Sequence, residues 1–175
     1  MELSIHQKTV KYAVYCIFIA GAALLQNTPG LFLEIGPAHC FLIIPTVIIL
    51  AMGEKEMSAA VLGLIAGFFW DLDSAVHAGF NAIFFMLVCF FAAAITERVV
   101  RNIFVTNMVA AVTTAFVYSI LYWLFFIIIK GVDGAEDSLF TFYLPSAFYT
   151  AVITPIAWFI LVPIKRRLNK KKPVK

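Results

Sequence analysis

Charge is scarce in this sequence. Only 13% of its residues are charged, where soluble domains carry about 25%. Too little polar sequence remains to cover the apolar part, which excludes an ordinary water-soluble fold. Cysteine is scarce as well. Cys16, Cys40 and Cys89 stand apart within apolar runs and show neither metal-ligand spacing nor a paired framework. They read as small apolar packing residues. No His/Cys/Glu cluster is spaced to hold a metal, and no Gly-rich loop is present to cradle a phosphate. Asp71, Ser74 and His77 supply the residue types of a hydrolytic triad, but no oxyanion donor accompanies them. Neither an enzyme nor a cofactor is therefore expected. The basic residues come without an aromatic or polar platform, which argues against nucleic acid as a partner. No interval between apolar runs is long enough to form a domain, and none alternates as a strand does.

What the sequence has in excess is apolar surface. Hydrophobic residues make up 63% of the 175, and Phe alone contributes 18. Apolar excess with charge depletion means a membrane protein. Six runs stand out, at about Val10 to Leu25, Pro37 to Met52, Met57 to Trp70, Ala78 to Ile95, Ile103 to Ile129 and Phe140 to Ile164. Each approaches or meets the roughly 20 residues that a spanning helix needs, the second and third being short. The breaks between runs are polar or helix-stopping. They are Asn27-Thr28-Pro29-Gly30, Gly53-Glu54-Lys55-Glu56, Thr96 to Asn102, and Gly131 to Asp137. Pro45 and Pro155 fall inside runs and are expected as kinks, since neighbouring helices can satisfy the backbone groups they free. Trp70, Tyr122, Trp123, Tyr143, Tyr149 and Trp158 mostly fall near run ends, as interface anchors do.

Orientation follows from Lys and Arg. With the amino terminus in the cytoplasm and six crossings, every basic residue except Lys130 lies inside. The expectation is an all-α polytopic membrane protein with six transmembrane helices and both termini cytoplasmic. Residues 1–175 form one membrane domain, and 165–175 form a basic cytoplasmic tail that meets anionic membrane lipids. A cleaved leader over the first run is the competing reading of the amino end, with Lys8 and Lys11 as its basic region.

The candidate site residues cluster between Ala59 and Arg101. Ala59, Gly63 and Gly67 recur every four residues, and Asp71 is the next step on the same helix face. Small residues at this spacing let helix backbones approach closely in lipid, either within the chain or against a partner. Asp71 and Asp73 sit where the apolar run stops. They read either as a chain-turning tip or as a site for a partner or ligand, with Asp71 the better placed. His77 reads as an interfacial loop residue. Gly79 permits a tight entry into the fourth run, and Asn81 can cap it or bond across helices. On the cytoplasmic side Glu97, Arg98 and Arg101 are docking candidates, and Glu97 can pair with Arg101 if the helix continues.

Gly63-Leu64, Gly67 and Asp71, then Gly79-Phe80-Asn81-Ala82, an apolar span, and Arg98 with Arg101 resemble the rod shape-determining protein MreD family. Asp73 and His77 depart from its pattern at the tip. The resemblance implies a scaffold of the elongation machinery in the bacterial inner membrane. It implies an MreC-like bitopic membrane protein, an MreB-like filament and the peptidoglycan synthase complex as partners. It also implies a helical layout shared with the substrate-binding S components of energy-coupling-factor vitamin transporters, which is the alternative function. In such a component a vitamin would bind near Asp71 and Asp73. The first run lacks the Ala-xxx-Ala pair of those components, because Ala13 is followed four on by Ile17 and Ala20 by Leu24.

Overall fold

The computed structural model describes residues 4–28, 38–72, 79–131 and 134–169. These fold as helices. In chain order they are α1 (Ile5–Asn27), α2 (Ile43–Ala51), α3 (Glu56–Asp71), α4 (Phe80–Arg98) and α5 (Phe104–Trp123), which runs on as a π-helical turn over Leu124–Ile128. A short α6 (Ala135–Ser138) leads through a second π turn, Leu139–Tyr143, into α7 (Leu144–Leu168). Local signals set several boundaries. At the start of α1 the Ser4 hydroxyl accepts from the Gln7 amide, and the Gln7 side chain accepts from the Ser4 amide. This reciprocal pair satisfies two otherwise orphaned donors. At the start of α7 Pro145 follows closely on the π turn Leu139–Tyr143, within one unbroken helical stretch.

Four helical stretches are long and apolar enough to cross a membrane: Ile5–Asn27, Phe80–Arg98, Phe104–Ile128 and Glu136–Leu168. Their outward faces carry large apolar side chains, among them Phe91, Ile95, Val152, Phe159 and Ile160. In water that surface would be a liability; in lipid it is the matching solvent.

The second apolar run behaves differently from expectation. Only nine of its residues form a helix, and every one of them is buried. At 1.5 Å per residue α2 is about 14 Å long, under half of a hydrocarbon core of about 30 Å. It is a central plug packed by α1, α3, α5 and α7 rather than a lipid-facing span. Pro45 lies in its first turn, so it starts the helix and does not kink a longer one. The residues leading into α2 are not helical, yet Ala38, Cys40 and Phe41 are buried. Side chains from elsewhere supply the missing backbone partners. The His39 and Phe41 amides donate to Ser146 Oγ (3.2 Å) and Thr150 Oγ1 (2.9 Å) of α7. The Ile43 amide donates to Gln26 Oε1 of α1 at 3.1 Å. Irregular backbone at membrane depth is tolerated only where protein surrounds and satisfies it, as here.

Beside α2 sits an aromatic stack. Trp70 lies parallel to Phe85 (centroids 5.4 Å) and tilted on Tyr118 (4.8 Å), and Phe41 meets Tyr118 edge-on at 5.5 Å. Trp70 and Tyr143 are buried, so these two are core residues and not interface anchors. Between helices in lipid the hydrophobic effect offers little, and such packed contacts carry the association.

Candidate functional site

Polar groups concentrate at the two ends of the bundle. At one end, α3 and α4 form a hairpin in backbone contact. A Cβ placed on Gly63 would lie 2.2 Å from the Phe85 carbonyl oxygen, and one on Gly67 would lie 2.2 Å from that of Asn81. No larger side chain fits either place. Ala59 is fully buried on the same face. At Gly63 and Gly67 the small-residue stripe is therefore packed against α4 within the chain. Asp71, the next step along it, is 7% exposed. Its carboxylate accepts from the amides of Gly79 (2.9 Å), Asn81 (3.4 Å) and Ala82 (3.1 Å). These are the orphan donors at the start of α4, where the helix dipole favours negative charge. Asp71 thus closes α4 from a distance, with three backbone amides on its carboxylate. Gly79 has φ 98°, a left-handed conformation that a side chain would strain. Asn81 is 1% exposed, and neither atom of its side-chain amide makes a hydrogen bond of good geometry. Its side chain does not cap α4, but it meets Tyr118 of α5 across the helix pair. Asp73, Ser74 and His77 lie outside the described residues.

The other end holds what the sequence reading missed. Lys11 of α1 and Glu54, in the turn after α2, form an ion pair at 2.6 Å, with side chains 7% and 5% exposed. Tyr15 and Tyr12 hydroxyls also donate to Glu54, at 3.2 and 3.4 Å. Lys11 is thus not a solvated topology charge. Lys165 is not part of a tail either, for it lies inside α7 and is 7% exposed. Its ammonium donates to the carbonyls of Ile49 (2.7 Å), Leu50 (3.0 Å) and Met52. These belong to the carboxyl end of α2, the negative pole of its dipole. Asn102 Nδ2 donates to the same Met52 carbonyl at 2.7 Å, and Asn107 donates to Asn102 Oδ1 at 2.6 Å. One clue lay in the sequence: Lys11 and Tyr15 share a helix face with Ile19, an apolar line on which a lysine needs an acid. Nothing local pointed to Glu54 as that acid.

The docking candidates lie at this same end. Glu97, Arg98 and Arg101 are exposed. Arg98 pairs with Glu56 at 2.8 Å. The helix stops at Arg98, with Val99 as its cap, so Glu97 and Arg101 do not share a helix face and the expected pairing has no basis. Between α4 and α5 an apolar groove of about 580 Å³ opens sideways, lined by Ala92, Thr96, Thr106 and Ala110 and floored by Met52. Among the described residues, no group of three or more His, Cys, Asp or Glu is placed to hold a metal ion.

A family model for the rod shape-determining protein MreD matches residues 6–168. The chain belongs to the MreD family. Comparisons with curated proteins and with solved structures returned no match. Membership and the long apolar helices together make this a multi-pass membrane protein with a role in cell shape. MreD is a family of shape-determining proteins and not a known family of enzymes. That agrees with the chemistry of both ends, where each buried charge is engaged by backbone or by an opposite charge. Such groups hold helices in place.

Proposed function

We propose that this chain is a membrane scaffold subunit of the bacterial cell-elongation complex. In this reading it organises peptidoglycan synthesis through an MreC-like bitopic protein, an MreB-like filament and the synthase, in the inner membrane. The observation that carries the reading is the family match across residues 6–168. The geometry is compatible with it. The buried charges serve internal architecture, while the α4–α5 groove leaves an apolar face open to a partner helix. Six crossings fit the way helix ends coincide. Contacts of Lys11 with Glu54, Glu56 with Arg98, and Lys165 with Met52 gather the start of α1 and α3 and the ends of α2, α4 and α7. The Lys/Arg excess at that end supports a cytoplasmic position for it, with the exposed Glu97, Arg98 and Arg101 on the same side.

Depletion of the protein in its own host tests the reading. Rods should lose their width control and round up, and an MreC-like protein should co-purify with the tagged chain before depletion. Normal rods together with lost uptake of one vitamin would overturn the scaffold in favour of a transporter S component.

A further inference from the structure

At the basic end a cavity of about 390 Å³ opens between the end of α2, the α4–α5 link and α7. Its α7 wall carries Trp158, Val162, Lys165 and Arg166 on one helix face, over about 12 Å of rise. Ile49 and Asn102 close the opposite side. The cavity is therefore divided. One part, around Ile49, Trp158 and Val162, is apolar; the other carries two cations. Among the described residues no carboxylate lines it. Lys165 has spent its three protons on α2 carbonyls and contributes charge only. Arg166 is exposed and makes no ion pair with the described residues. Its guanidinium presents the planar donor fork that suits a phosphate. The apolar part adjoins the outward face of α7, where Phe159 and Ile160 are exposed to lipid.

We infer that this cavity binds one anionic phospholipid, its phosphate on Arg166 and the start of an acyl chain against Trp158 and Val162. A zwitterionic headgroup would bring a cation against Lys165 and Arg166, which sets the selectivity. Basic pockets between transmembrane helices hold anionic headgroups on the same principle. The inference needs only the membrane setting. It stands or falls apart from the scaffold role.

Native mass spectrometry of the full chain tests it, with titrations of phosphatidylglycerol, phosphatidylcholine and inorganic phosphate. The expected result is retained phosphatidylglycerol adducts, with little phosphatidylcholine and no displacement by inorganic phosphate. Arg166→Gln should weaken retention on the order of five-fold, the worth of one interfacial cation. Arg167→Gln, outside the cavity, should leave it within two-fold. Equal retention of both lipids, or equal loss in both variants, would mean diffuse surface charge and would overturn the site. Displacement of the lipid by inorganic phosphate would make it a free-anion site and overturn the lipid assignment.

Discussion

At one end of the bundle a carboxylate closes the amino end of α4; at the other an ammonium closes the carboxyl end of α2. Asp71 and Lys165 are both 7% exposed and both act across a helix–helix contact. They differ in reach. Asp71 bonds to residues 8 to 11 positions away, inside one hairpin. Lys165 bonds to residues 113 to 116 positions away, across the assembled chain. A short-range cap forms as soon as its hairpin closes. A long-range cap exists only once the whole bundle does, and so it reports on the assembly rather than on one motif.

Three substitutions would break or sharpen that contrast. The largest effect is expected from Gly67→Ala. The new methyl would lie 2.2 Å from the Asn81 carbonyl oxygen and 2.4 Å from Ala82 Cα, and backbone cannot swing aside as a side chain can. The hairpin must spread and carry the α4 amides away from Asp71. A loss of roughly 4 kcal/mol is expected, read as a lowered unfolding midpoint in detergent. An unchanged midpoint would deny the backbone contact on which the short-range cap depends.

Lys165→Met comes next. It keeps the aliphatic volume but takes the Lys165 ammonium from the Ile49 and Leu50 carbonyls, at about 3 kcal/mol. Tryptophan fluorescence during unfolding measures it, since Trp158 lines the same region. The smallest effect belongs to Asp71→Asn, where one amide oxygen still accepts from the α4 start but the charge is gone. About 1–2 kcal/mol is expected. Should Asp71→Asn cost more than Lys165→Met, the order is reversed and the local hairpin, not the global closure, dominates stability.

The same difference in reach decides what could be read from the sequence. Helices α1, α4, α5 and α7 were legible because each is a long apolar run, and the ends of α3 coincide with its run. The glycine spacing indicated a close-packing face, although not that α4 would fill it. Gly79 was legible as the entry to α4, because a left-handed residue before a helix leaves few choices. The second run reads as helical along its length, whereas only Ile43–Ala51 form the helix. The described residues before that helix, and its first amide, are bound by Ser146, Thr150 and Gln26, which carry no signal at positions 38–42. Lys11 and Lys165 were read as orientation charges, because pattern alone cannot tell a lysine facing solvent from one facing a distant acid or a helix end. Glu54, hidden in a charged turn, was overlooked for the same reason.

The non-helical entry into α2 bears on how the protein is made. Two of its amides find their acceptors on Ser146 and Thr150, more than a hundred residues later in translation. While the ribosome is still producing the middle of the protein, that segment sits near the bilayer with donors that nothing yet accepts. It must wait in a groove of the insertion machinery or at the wet surface of the membrane. Helix α7, synthesised much later, then acts as the latch that lets the second one enter.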